Sequence, residues 1–121
     1  MANLSTYAAN AILDGTAMPA TLYAKLHIGN PGAAGTSNPA GETVRKSFTR
    51  GAAASGATTN AADLDWASVG ATEDYSHVTI WDASSGGNCW WVGTLTAAAV
   101  TLGDTFKIPA GDLDLSFTIW S

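Results

Sequence analysis

The stretch that decides the fold is His77-Val-Thr-Ile-Trp-Asp-Ala-Ser-Ser-Gly-Gly-Asn-Cys-Trp-Trp-Val-Gly-Thr-Leu95. In its first half, Val78 and Ile80 alternate with more polar neighbours, and the run ends at residues 82–88. That segment holds only Asp, Ala, Ser, Gly and Asn, which tolerate positive φ or bond their own backbone, as turns require. Because a second apolar run begins at Cys89, the stretch predicts an antiparallel hairpin.

A period of two, typical of strands with one buried face, recurs toward both ends of the chain. It is clearest in residues 113–119 and in residues 20–28, where every second residue is apolar. Shorter strands are predicted over residues 43–49, 63–66 and 106–108. About six to eight strands in all predict a mainly β fold, either an antiparallel β-sandwich or a flattened barrel. Residues 75–120 are predicted to form a C-terminal β-meander.

Two segments depart from this pattern. In residues 3–14, apolar residues recur at helical spacing and a glycine follows, which predicts one short N-terminal α-helix. A lone helix of about twelve residues is marginal in water. We therefore expect Leu4, Tyr7 and Ile12 to pack on the sheet or on another subunit. Residues 29–41 hold four glycines and two prolines, which predicts a long exposed loop.

Composition limits the classes of protein that the chain can belong to. Its 121 residues are enough for one domain, which we assign to residues 1–121. Only 12% of them are charged, against about 25% in ordinary soluble domains, and a weakly charged surface is more often one that packs against neighbours. Ten acidic and five basic residues give a net charge of -5. Since nucleic-acid binding needs a basic stripe, we predict no nucleic-acid partner.

The single cysteine and the N-terminal sequence are informative about the cellular compartment. Cys89 has no second cysteine to pair with, so it is interpreted as a packed small apolar group and not as half of a disulfide. The first residues hold neither a basic segment nor an unbroken apolar run, which indicates neither a signal peptide nor a membrane anchor. We expect the protein to be made and folded in a cytoplasm.

Two histidines are the first candidates for chemistry. His27 and His77 each lie on the polar side of a predicted strand, and with Asp82 they would be able to hold a metal or to perform acid–base catalysis. No third ligand stands at a recognisable spacing. Two solvated histidines on a sheet surface are therefore the favoured interpretation.

Two pairs of aspartates are the second candidates. Asp112 and Asp114 share one strand face, as do Asp63 and Asp65, and such a pair can bind calcium or flank a glycosidic bond. Neither pair lies in a glycine-bearing loop of the calcium-binding type, so a solvated face is favoured. The sequence thus predicts no catalytic residue, no metal site and no cofactor.

Five tryptophans are an unusual number for 121 residues, and two of them are adjacent. On a regular strand Trp90 and Trp91 point to opposite faces, one toward the core and one outward. Trp81 and Trp120 lie opposite the aliphatic rows of their strands. Exposed aromatic residues are typical of subunit contacts; a carbohydrate-stacking surface and burial under the helix or a loop are the alternatives. The predicted interface residues are Leu4, Tyr7, Ile12, Trp81, Trp90, Trp91 and Trp120.

Four blocks of the sequence resemble a known family. They are Met-Ala-Asn-Leu-Ser-x-Tyr-Ala-x-Asn-Ala-x-Leu-Asp at residues 1–14, Pro-Ala-Thr-Leu-Tyr-Ala-Lys-Leu-His-Ile-Gly-Asn-Pro-Gly at 19–32, His-Val-Thr-Ile-Trp-Asp-Ala-Ser-Ser-Gly-Gly-Asn at 77–88 and Gly-Asp-Thr-Phe-Lys-Ile-Pro-Ala-Gly-Asp-Leu at 103–113. In this order they resemble small virion proteins of tailed bacteriophages, variously described as tail-fibre-like, minor structural or head-decoration proteins. The resemblance implies no catalytic residue.

Together these observations lead to three functional hypotheses. The first is a non-enzymatic virion structural protein, a capsid decoration or cement subunit that binds the assembled head as a homo-oligomer. The second is a tail-fibre or tail-tip component that binds a host-surface glycan. The third is a small carbohydrate-active enzyme that uses an aspartate pair. For the first two we expect major capsid or tail proteins as partners, no membrane partner, synthesis in the host bacterial cytoplasm and a final location in the virion.

Overall fold

The computed structural model describes Ile12 and residues 21–116, and every element that it bounds there is a β-strand. The strands are β1 (Thr21–His27), β2 (Lys46–Thr49), β3 (Ala57–Thr59), β4 (Leu64–Trp66), β5 (Glu73–Trp81), β6 (Cys89–Val100), β7 (Phe106–Ile108) and β8 (Asp114–Ser116). All of their pairings are antiparallel. The prediction of a mainly β, antiparallel fold is confirmed.

One four-stranded sheet, ordered β2-β1-β5-β6, is the largest element of the fold, and β3–β8 and β4–β7 form two-stranded ribbons. The described strands do not close into a barrel, because β2 and β6 lie at the edges of the sheet. Within the described part of residues 75–120, the predicted meander is limited to the β5–β6 hairpin. It does not continue, because β7 and β8 pair with strands from earlier in the chain and not with each other.

The first face of the sheet is apolar and forms the main core. In the β1–β5 register, Ala24 lies opposite Ile80 and Leu26 lies opposite Val78, so these side chains project together from one face. Apolar residues of the two ribbons, and the residue just before β8, belong to the same buried cluster: Leu64, Trp66, Ile108, Leu113 and Leu115. Burial of this apolar area is favourable by about 25 cal/mol per Å². It positions the ribbons against the sheet.

The second face of the sheet carries polar side chains and is also covered. His27 and Thr79 are fully buried there, at 0% exposure, because the chain after β1 folds back across them. The backbone N–H of Ile28 donates to the carbonyl of Asn38, and that of Ala40 donates to the carbonyl of Leu26. The loop predicted over 29–41 therefore has many exposed residues, but it is a packed layer tied to β1.

The remaining predictions concern the N-terminal helix, the domain and the extent of two strands, and their outcomes differ. The helix predicted over 3–14 lies outside the described residues except at the half-buried Ile12, so it stays a prediction, as does a single domain over residues 1–121. Strand β3 lies in a small-residue segment for which no strand was predicted. Strand β6 runs on to Val100, beyond the apolar run that ends at Leu95, because Val100 still pairs with Glu73 of β5. Sheet context there overrides the weak strand propensity of the preceding alanines.

Candidate functional site: the tryptophan hairpin

The turn of the β5–β6 hairpin, residues 82–88, is fixed by hydrogen bonds between its two ends. The Asn88 backbone N–H donates to Oδ1 of Asp82 over 2.8 Å, and the Asp82 N–H donates to the Asn88 carbonyl over 3.2 Å. Between them, Gly86 and Gly87 have positive φ values of 65° and 74°. A Cβ atom on Gly87 would overlap Oδ1 of Asp82. The turn therefore requires glycine at this position.

A β-bulge places the two adjacent tryptophans beside each other. Ile80 pairs with Trp91, but Trp81 pairs with Cys89, so Trp90 is an additional residue in β6. A bulge reorients its side chains relative to a regular strand, and the rings of Trp90 and Trp91 lie with centroids 6.5 Å apart at 33°. The expectation that they point to opposite faces is therefore wrong. Both are half-buried and pack against the edge of the core; we call them the tryptophan pair.

Asp82 fixes the orientation of one member of this pair. Nε1 of Trp90 donates to Oδ2 of Asp82 over 3.2 Å, and Nδ2 of Asn88 donates to the same oxygen, also over 3.2 Å. The backbone N–H of Asn88, followed by the Trp90 indole, lowers the pKa of the Asp82 carboxyl below its usual value, because these donors favour the charged form. The hairpin thus presents an ionised carboxylate next to an aromatic surface.

Arg45 supports the hairpin from the second face of the sheet. Its guanidinium carbon lies 4.2 Å from the ring centroid of Trp81, a cation–π distance. Nη1 of Arg45 also donates to the carbonyls of Ala83 and Gly86, over 2.8 and 2.7 Å. One side chain therefore links the start of the turn, its tip and the strand below it.

The prediction that Trp81 is exposed is wrong, whereas its part in a subunit contact stays a prediction. The residue is only 7% exposed, because Arg45 lies over its ring and its Nε1 donates to the hydroxyl of Thr79 over 2.7 Å. Trp81 does lie opposite the aliphatic row of β5, as predicted. That face is covered by polar and charged groups of the same chain.

A groove continues from the tryptophan pair along β6. Its cavity volume is about 250 Å³, and it lies between Trp91, the following residues of β6 and the start of β8. A wider depression of about 550 Å³ shares Thr94, Leu95 and Asp112 with it. Asp112 and Asp114, one of the predicted aspartate pairs, lie at this groove. The groove is therefore aromatic at the end formed by Trp91 and polar along the edge formed by Asp112 and Asp114.

The two histidines lie opposite each other in the β1–β5 register, but Asp82 lies beyond the end of β5. His27 is not solvated: its Nδ1 donates to the Ser37 carbonyl, and its Nε2 accepts from the Thr79 hydroxyl, both over 2.9 Å. The prediction of a solvated His27 is wrong, because the loop covers it. Burial lowers the pKa of His27. Within the described residues, no three His, Cys, Asp or Glu side chains are arranged to bind a metal.

The contacts of the other titratable candidates, Asp63, Asp65 and Cys89, fit a structural role. Asp63 and Asp65 lie 3.6 and 4.0 Å from Nζ of Lys107, and all three side chains are about half exposed. Cys89 is half-buried, and burial raises the pKa of its thiol, which opposes formation of the reactive thiolate. These positions fit the interpretations of a solvated aspartate face and of a packed cysteine.

Of the predicted interface residues, Trp90 and Trp91 remain surface candidates. Leu4, Tyr7 and Trp120 lie outside the described residues, and Ile12 is half-buried. Sequence reasoning did not identify Asp82, Asn88 or Arg45 as parts of the site. An Asp and an Asn at the two ends of a glycine-rich turn are a usable signal for the first two, because such side chains bond nearby backbone. The sequence has no corresponding signal for Arg45.

The described residues form an antiparallel β module whose hairpin carries two partly buried indoles. Residues 3–116 match the family model described as "Podophage GP4 fiber I protein gp80". The chain belongs to this family of podophage fibre proteins, and it is a tail-fibre-like structural protein of the phage virion. As a virion component, it associates with other virion proteins. No individual curated protein matches it significantly.

Among the residues that the structure describes, no helix is both long and apolar enough to cross a bilayer.

Proposed function

We propose that this protein is a component of a podophage tail fibre, held in the virion by other virion proteins and by further copies of itself, and that it presents the tryptophan pair outward. The observation that carries the proposal is the family match over residues 3–116, whose description names a fibre protein. The family description names a structural component, the fibre, and no reaction. The proposed role is accordingly non-enzymatic.

The geometry of the hairpin supports an attachment role. The indoles of the tryptophan pair are only partly buried, and covering their remaining apolar surface would be favourable by about 25 cal/mol per Å². Here Asp82 and Arg45 fix the turn that carries them. A surface whose side chains are already ordered loses less conformational entropy on binding than a flexible one.

The capsid-decoration role stays a prediction. A charged fraction of 12% suits any protein that packs into a particle, so it does not separate the head from the tail. The family description favours the fibre. A net charge of -5 supports the further proposal that nucleic acid is not a partner, because phosphates repel such a surface.

Cryo-electron microscopy of the intact virion tests the proposed location. We expect density that fits the β module at the tail fibres, and loss of that density from particles in which the gene is deleted. A matched reconstruction of the head is the control. Density on the head lattice with none at the tail would contradict the proposal and support the decoration role.

A further inference from the structure

We infer that the tryptophan pair, together with the polar turn beside it, is a binding site for a neutral saccharide of the host cell surface. The inference rests on the proposed fibre role for the source of the ligand. The residues of the site itself all lie in the hairpin.

The two indoles supply the apolar part of the site. A sugar ring has faces of C–H groups and a rim of hydroxyls, and the electron-rich face of an indole attracts such C–H groups. The rings of Trp90 and Trp91 are 6.5 Å apart and inclined by 33°. Two rings at this separation are close enough to contact neighbouring parts of one saccharide.

The turn supplies polar groups at the edge of this surface. Ser84, Ser85 and Asn88 are exposed, and the Asp82 carboxylate lies against Trp90. Hydroxyl and amide groups both donate and accept, and a carboxylate accepts, so together they can pair with the hydroxyls of a sugar. An aromatic surface with a few positioned polar groups is the usual make-up of a small-ligand site.

Charge at the site favours a neutral saccharide over an acidic one. The Asp82 carboxylate faces the site in its ionised form, and the whole chain has a net charge of -5. The guanidinium that contacts the turn is already engaged, because Arg45 stacks on Trp81 and donates to two carbonyls of the turn. A uronate or another acidic sugar would be repelled without a compensating partner.

The small size of the hairpin surface favours a saccharide over a protein. A stable protein interface buries about 800 Å² and about 20–30 residues on each side. The hairpin offers two indoles and the turn of residues 82–88, which are fewer residues than such an interface needs. Docking of a protein at this hairpin is therefore the alternative that the experiment has to exclude.

Titration of the purified protein with defined sugars tests the inference. The neutral probes are tetrasaccharides of glucose, galactose, mannose and N-acetylglucosamine and the neutral polysaccharide extracted from the host bacterium. A galacturonate tetrasaccharide is the acidic probe. We expect at least one neutral probe to bind and to change tryptophan fluorescence, with no binding of the acidic one.

Variants locate the site. Trp90→Ala should weaken binding of the neutral probe at least tenfold, and Trp90→Phe, which keeps an aromatic face, should weaken it less. Leu102→Ala is the control, because Leu102 is an apolar residue outside the hairpin with 64% exposure, and binding should be unchanged. If Trp90→Ala does not fold, the indole N–H resonance of Trp90 in the native protein should still shift during the titration.

The inference is overturned if no neutral probe binds, if the acidic probe binds as well as the neutral ones, or if folded Trp90→Ala binds as well as the native protein. It is also overturned if a virion protein proves to cover the tryptophan pair in the assembled fibre. None of these results moves the protein away from the fibre in a reconstruction of the virion. The saccharide site and the fibre role therefore fail separately.

Discussion

The two faces of the four-stranded sheet are closed by different means. The first is covered by ribbon residues such as Trp66 and Leu115, which are almost fully buried in an apolar cluster. The second is covered by a loop over His27 and Thr79 and by Arg45 over Trp81, and these three covered side chains are joined by directional hydrogen bonds. Apolar burial is non-directional and tolerates small shifts. A buried polar group is costly as soon as one partner is removed. The first face therefore supplies more of the stability, and the second is more sensitive to chemical detail.

The largest effect is expected on the first face. Trp66 is 0% exposed, and its Nε1 donates to the Val44 carbonyl over 2.9 Å. Replacing it by alanine should lower the free energy of unfolding by about 3–5 kcal/mol, because a large cavity is left in the core. Urea denaturation measures the change. A loss of under about 1 kcal/mol would contradict the assignment of this face as the main core.

The packing of the loop is tested by two matched glycines. Gly35 and Gly32 both have φ of 74°, but a Cβ on Gly35 would lie 2.6 Å from Sγ of Cys89, whereas one on Gly32 meets only Oγ of Ser37 at 4.0 Å. Gly35→Ala should therefore destabilise the protein by about 1–3 kcal/mol more than Gly32→Ala, through overpacking. Equal losses of unfolding free energy in urea denaturation would mean that the loop at Gly35 is not closely packed against Cys89.

The hydrogen bonds of the second face are tested at Thr79. Thr79→Val keeps the shape of the side chain but leaves Nε2 of His27 and Nε1 of Trp81 without their partner. Unfolding free energy should fall by about 1–3 kcal/mol. Thr79→Ser, which keeps the hydroxyl, is the control and should lose less. If the Thr79→Val variant is as stable as the Thr79→Ser variant in thermal denaturation, the hydrogen-bond network does not contribute to stability.

The smallest effect is a dependence of stability on pH. Burial lowers the pKa of His27 below 6.5, and the neighbouring charges of Lys25 and His77 act in the same direction. As the pH falls below 6.5, the unfolded chain takes up a proton that the folded protein does not, so the free energy of unfolding decreases. Urea denaturation at about pH 8 and about pH 5.5 measures this. NMR titration of the His27 ring should give a pKa below its usual value, and a raised pKa would contradict the burial.

Much of the first face could be predicted from the sequence, because a period of two reports directly which side of a strand is buried. Leu22, Leu26, Val78 and Ile80 follow from that pattern alone. The short ribbons were harder to predict. Strand β3 consists of Ala57, Thr58 and Thr59, whose composition is not distinctive, and it forms because residues 114–116 of β8 lie beside it.

The second face and the hairpin could not be predicted in the same way. His27 is on the polar side of its strand, and only a loop that returns over it decides that it is buried. Trp90 and Trp91 share a surface because β6 has one residue more than β5 opposite it, and an insertion of this kind has no signature in the alternation of residues. Arg45 precedes β2 and reaches the hairpin only through the folded sheet.

The central claim is that the hairpin is held in one conformation, ready to bind, by Asp82 and Arg45. NMR relaxation of the backbone amides of Gly86 and Gly87 tests it most directly. We predict order parameters of about 0.85 in the native protein, as in rigid backbone, and values below about 0.6 in the Arg45→Met variant. Order parameters already below about 0.6 in the native protein would contradict the claim, because the tryptophan pair would then be carried on a flexible turn.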